Sequence, residues 1–157
     1  MVIKLETRLD YGRTSPAGLQ AMLALNHFVE TCGLEHSLLE LVKTRASQIN
    51  GCAYCVDMHT IDARAAGESE QRLYLLSAWR EAPFYTERER AALAWTEAVT
   101  LVSSSQVPDP IFEEARSHFT EVELVNLTWA IVAINGWNRM AVSFRSQPGD
   151  HQPRSKT

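Results

Sequence analysis

A chain of 157 residues with 45% hydrophobic and 22% charged side chains fits one globular domain, large enough for a core without disulfide staples. Its net charge of −4 and pI near 5.7 argue against general nucleic-acid binding, which needs a basic face. The N-terminus MVIKLETRLD lacks the apolar run of a secretory signal, and the longest apolar stretch, residues 124–137, is too short for a membrane span, so the expectation is a soluble, cytoplasmic protein.

Taken in chain order, the pattern is helical nearly throughout. A first helix is expected over residues 15–32, with Pro16 near its start and Gly33 as its stop. A second runs over 37–48 and breaks at Asn50-Gly51. A third covers 52–66 and a fourth 68–79. The fifth, 86–103, opens on the capping box Thr86-x-x-Glu89. After a Ser- and Pro-rich loop comes a short helix over 110–118. A long one follows over 120–144, opened by a second box, Thr120-x-x-Glu123. No run of alternating β-branched residues signals a strand. The reading is an all-α single domain over residues 1–146 with a flexible polar tail over 147–157.

The last helix is apolar on nearly every side, from Val122 through Trp137. Such a helix must be buried all round, which a domain this small achieves most readily by forming a homo-oligomer. The four tryptophans, Trp79, Trp95, Trp129 and Trp137, fit helical core stripes. Gly136 permits close packing there. Three cysteines give no disulfide framework, and Cys32 reads as a small buried hydrophobe.

The chemistry concentrates in the pattern Glu40-x11-Cys52-x2-Cys55-x3-His59. Steps of three, four and seven return to one side of a helix, so both cysteines and His59 share a face. The Asn50-Gly51 break puts Cys52 at a helix N-terminus, where free N–H groups favour a thiolate. One thiolate can be oxidised to a sulfenic acid, and the second thiol can condense with it to a disulfide. His59 is the candidate proton shuttle, and Glu40, on the preceding helix, a candidate base or orienting group. Two other readings stand beside this one. Cys52, Cys55 and His59 could hold zinc, with Glu40 as a fourth neighbour of a catalytic ion, although no second Cys-x-x-Cys or His pair follows for a structural site. Ser37-x-x-Glu40 could be a capping box, which gives Glu40 a purely structural task. Lys43 and Arg45 read as solvated helix residues, and His27, His36, His118 and His151 have no evident partners.

On the residues Glu40 to His59 in ELVKTRASQINGCAYCVDMHTIDARAAG, the chain resembles the AhpD-like alkylhydroperoxidases of the carboxymuconolactone decarboxylase family. The resemblance covers roughly residues 20–105, and the stretch Asn135-Gly136-Trp137-Asn138-Arg139 is similar more weakly. It implies an all-α fold assembled as trimers or hexamers, and an antioxidant peroxidase that uses a dithiol in place of haem or metal, with no cofactor. Within it, Cys55 is implied as the peroxidatic thiol and Cys52 as the resolving one. Glu40 is implied as base, linked to Cys55 through His59. The implied partners are an organic hydroperoxide and a thiol or lipoyl-type reductant. In the best-known members of the family that it resembles, a histidine directly precedes the second cysteine. Here that position is Tyr54, which can donate a hydrogen bond but is a poor base near neutral pH. Decarboxylase or lactone chemistry on the same fold is the alternative reading, and it does not depend on a Cys-x-x-Cys.

Overall fold

The computed structural model describes residues 3 and 5–153. These form nine α-helices and one 3-10 turn, with no strand among the described residues. The helices are α1 (Tyr11–Thr14), α2 (Pro16–Thr31), α3 (His36–Ile49), α4 (Ala53–Ala65) and α5 (Glu70–Leu75), the last running into the 3-10 turn Leu76–Ala78. Then come α6 (Glu87–Thr100), α7 (Val102–Ser105), α8 (Asp109–His118) and α9 (Glu121–Phe144). The expected starts of α6 and α9 are found with both capping-box bonds formed at each. The short helices α1 and α7 carry too few residues to show a period, and the sequence did not announce them.

The centre of the fold is α3, buried without a break from Leu38 to Thr44. One cluster joins its Leu38, Leu39 and Val42 to Val29 of α2, Ala91 and Ala92 of α6, and Leu127, Ala130 and Ile131 of α9. A second joins Leu41 to Ala63, Leu76, Trp79 and Leu93. The alanines of α6 allow its backbone close to α3, where a larger side chain would overpack. Gly136 does the same for α9 against α2: a Cβ there would lie 2.9 Å from Met22 Cε.

Charged residues taken from the sequence as solvated prove to hold the helices together. Arg45 Nε lies 2.9 Å from Glu97 Oε1, which also accepts from Trp79 Nε1 at 2.8 Å. Helix α9 departs from expectation in the opposite direction. Its Leu124, Leu127, Ala130, Ile131 and Ile134 are buried, but Val122, Val125, Trp129 and Val132 are 44–70% exposed along one side. The C-terminal polar segment runs back over α4. Gly149 N donates to Asp57 Oδ2 at 2.9 Å, and His151 Nε2 lies 2.8 Å from Asp62 Oδ1.

Candidate functional site

The link between α3 and α4 builds the site. Asn50 caps α3 through its N–H to the Ala46 carbonyl, and Gly51 reverses the chain at a left-handed φ of +64°. That angle is strained for any residue with a Cβ. Cys52 N then bonds back to the Ser47 carbonyl at 3.0 Å, and Cys52 becomes the N-cap of α4. Its Sγ accepts from the Cys55 N–H at 3.3 Å, one of the helix's unpaired donors. The two sulfurs, both free, face each other at 2.6 Å.

Each cysteine is 1% exposed, packed with Ala46, Ile134 and Ala141. They nevertheless open to different sides. Cys55 lines a cavity of about 280 Å³ with Glu40, Lys43, Tyr54 and His59, closed on its apolar side by Leu19, Leu23, Met58 and Trp137. Cys52 lines a separate groove bordered by Leu5, Arg8 and Arg145. Tyr54 belongs to both walls.

The sulfurs share a proton unequally. The hydrogen bond from the Cys55 thiol lowers the pKa of Cys52, burial opposes this, and the Cys55 N–H and the Asn138 amide lower it further, to about 7. Cys55 is pushed the other way, by giving its proton to Cys52, by burial and by the nearby Cys52 charge. Of the two, Cys52 is therefore the sulfur that ionises first, with Cys55 keeping the proton.

Glu40 does not cap α3. The N-cap is Glu35, and Glu40 lies a turn inside the helix, 3% exposed. Its Oε2 is 3.0 Å from His59 Nδ1, and its Oε1 accepts from Lys43 Nζ at 3.1 Å. Burial pushes its carboxyl up, but the His59 hydrogen bond and the Lys43 charge outweigh this and hold it at about 2. Lys43 is itself buried, contrary to its reading as a solvated residue. His36 Nδ1 stands 3.8 Å from Glu40 Oε1 at the outer edge. His151, which had no evident partner in the sequence, meets Asp62 on the cavity wall.

The fold thus gathers Glu40, Tyr54, Cys55 and His59 around one cavity, with Cys52 directly behind Cys55. Cys32 is apart from them, half-buried, its Sγ donating to the Val29 carbonyl at 3.0 Å. Among the described residues no group of three or more His, Cys, Asp or Glu side chains could hold a metal ion. No helix among them is long and apolar enough to cross a membrane. Sequence reasoning missed Ser47 and the side-chain partners of Lys43, Asn50 and Asn138. Asn50 Nδ2 donates to Asn138 Oδ1 at 2.9 Å, and Asn138 Nδ2 donates to Ser47 Oγ at 3.0 Å. The only signal for Asn138 was its place in the Asn135–Arg139 stretch.

Comparisons with known proteins bear on the family and the fold. The model of the carboxymuconolactone decarboxylase family matches residues 16–98. The uncharacterized protein YdfG of Bacillus subtilis is 42% identical over 136 residues, 87% of this chain and 92% of that protein. A solved structure from Agrobacterium tumefaciens, described as a protein of unknown function and a candidate antioxidant defence protein AhpD, is 51% identical. It superposes with a TM-score of 0.90 over 93% of this chain and 100% of that one. The debrominase Bmp8 is similar at 20% identity and a TM-score of 0.79, covering 87% of this chain and 74% of that one.

Proposed function

Since the chain belongs to the carboxymuconolactone decarboxylase family, we propose that it is an AhpD-like dithiol peroxidase that reduces small organic hydroperoxides. The observation that carries this reading is the pair of free sulfurs at 2.6 Å, one of them on the wall of a cavity that also holds the buried Glu40–His59 pair. The candidate antioxidant defence protein AhpD similar to this chain supports it. The likeness to a debrominase, at 20% identity, concerns the fold and brings no substrate with it.

In this reading the charge moves from Cys52 to Cys55 as the shared proton crosses. The Cys55 thiolate attacks one peroxide oxygen, the O–O bond breaks, and the alkoxide leaves as an alcohol with a proton from His59. Cys55 is then a sulfenic acid. Cys52 attacks the Cys55 sulfur as its own proton passes to the departing oxygen, so the S–O bond breaks and water leaves. The sum is one hydroperoxide and two thiols giving one alcohol, one water and one disulfide. Glu40 stays ionised and keeps the imidazole turned to the cavity, and Tyr54 is a hydrogen-bond donor beside the sulfurs. An external thiol or lipoyl-type dithiol reduces the disulfide. A reducing cytoplasm suits a pair that must return to the dithiol after each turnover.

Thiol titration tests the cycle. One equivalent of an organic hydroperoxide is expected to remove two of the three thiols together, leaving Cys32, and dithiothreitol to restore both. An unchanged thiol count would remove the peroxidase reading.

The same reading includes a homo-oligomer, a trimer or hexamer, closed over the exposed stripe Val122, Val125, Trp129 and Val132 of α9. Apolar side chains repeated along one side of a helix are best covered by a partner. Sedimentation is expected to give at least three times the 17.7 kDa chain mass, and Val125→Glu to lower it. A wild-type monomer would exclude the assembly.

A further inference from the structure

The groove at Cys52 is charged in a way the cycle above does not use. It encloses about 950 Å³, ample for a small molecule, and Cys52 lines it with Leu5, Arg8, Val142, Arg145 and Pro148. Its described lining residues include two arginines and no carboxylate, in a chain of net charge −4. Elsewhere arginines meet carboxylates: Arg45 and Arg80 reach Glu97, Arg72 reaches Glu68 and Glu89, and Arg88 reaches Glu35 and Glu123. Among the described residues neither Arg8 nor Arg145 is paired with a carboxylate. Both belong to the end of α9, whose last four carbonyls are all occupied. The Arg145 N–H reaches those of Ala141 and Val142, Arg8 Nη1 donates to that of Ser143 at 3.1 Å, and Arg8 N to that of Phe144 at 3.0 Å. The partial negative charge of a helix C-terminus, which repels anions, is thus covered. Arg8 uses one of its five side-chain donors in this way, and the Arg145 guanidinium uses none. Arg145 also stands at a left-handed φ of +56°, a conformation that glycine adopts at least cost. Backbone geometry therefore does not select arginine there. What arginine brings to the position is its charge, on the groove that holds Cys52.

We propose that this groove binds the reductant, and that the reductant is a small thiol bearing carboxylate groups, held by Arg145 and Arg8 with its sulfur against Cys52. A carboxylate pairs with a guanidinium through two parallel N–H···O bonds, which orient as well as attract. Cys52 is buried, so the reducing sulfur has to arrive on a slender molecule and not on the surface of a folded protein. The thiolate bonds to Cys52 Sγ, the Cys52–Cys55 bond breaks, and Cys55 leaves with the electron pair and takes a proton from water. A second thiolate attacks the sulfur of the first, and Cys52 is released and protonated in turn. Two thiols become one external disulfide, and the protein regains its dithiol. The inference deepens the dithiol reading, on which it rests, by giving the reductant a charge and a binding site.

In the experiment the disulfide is formed with diamide, without peroxide. Its reduction is then timed with mercaptosuccinate, which carries two carboxylates, and with 2-mercaptoethanol, which carries none, each rate taken per thiolate. In the native protein the anionic thiol is expected to be about tenfold faster, the enrichment a charged cleft gives a counter-ion. The advantage should shrink in about 1 M salt. Arg145→Gly relaxes the backbone and deletes the charge. It is expected to melt no lower than the native protein and to reduce the ratio of the two rates about fivefold. Arg145→Lys should keep most of the ratio. Arg116→Gln removes a positive charge outside the groove, on α8, and should keep all of it. A native ratio near one overturns the proposal. So does an unchanged ratio in Arg145→Gly, an equal fall in Arg116→Gln, or a pair of thiols that diamide does not close. The peroxidase reading stands or falls on hydroperoxide, and this one on diamide and thiols, so the two failures are distinct.

Discussion

Cys55→Ser is expected to abolish hydroperoxide consumption, a loss of about a thousandfold or more, the order seen when a covalent nucleophile is removed. The measurement is single-turnover loss of an organic hydroperoxide by reduced protein. The expectation follows from access: Cys55 is the sulfur on the cavity wall beside Glu40 and His59. Electrostatics alone point to the other sulfur, because Cys52 is the one whose ionisation is favoured. The companion variant decides between them. Cys52→Ser is expected to consume one equivalent and stop, with Cys55 trapped as a sulfenic acid that a dimedone-type reagent labels. The reverse pattern, with Cys52→Ser inert and Cys55→Ser active for one turnover, would make Cys52 the attacking thiol. Full activity in both would end the dithiol mechanism.

Glu40→Gln is expected to cost about 3–5 kcal/mol of stability, because it leaves Lys43 buried beside a neutral amide. For a domain of this size that lowers Tm by roughly 6–20 °C. The acid limb of stability should change with it. In the folded protein the Glu40 carboxyl titrates at about 2, below its ordinary value of 4.5. A lowered folded pKa gives stability that is complete above the ordinary value and is lost as pH falls through the folded one. The loss therefore runs from about pH 4.5 down to about 2 and amounts to about 3 kcal/mol. Glu40→Gln should lack this part of the acid limb. Adding Lys43→Met should restore much of the lost stability by removing the orphaned charge. Peroxide consumption should fall about a hundredfold in the single variant, since His59 loses the group that orients it. Wild-type melting and an unchanged acid limb would return Glu40 to a minor role.

What the sequence made legible was local. Spacing was enough to bring Cys55 and His59 to one face of α4, and Thr86 and Thr120 marked the starts of α6 and α9 through the glutamate three residues on. Lys43 escaped because a Glu-Lys pair three apart looks the same on a surface helix as on a buried one. Only the packing of α3 among its neighbours decides which it is. The Asn50–Asn138 bond joins residues 88 apart and the His151–Asp62 contact residues 89 apart, and no periodic pattern encodes such pairs. The apolar run of α9 was legible as a run. Which side of it faces the domain and which faces outward was not, because an exposed valine stripe and a buried one read alike.

Cys55 lines the cavity and Cys52 the groove bordered by Arg8 and Arg145, the two meeting at Tyr54 and Ala141. In the proposed cycle this gives the oxidant and the reductant separate doorways. A reducing thiol arriving through the groove can attack the disulfide at Cys52 and release Cys55 as the thiolate, while the cavity still holds or discharges its alcohol. Neither reactant has to wait for the other to leave, so an excess of one does not block the entry of the other.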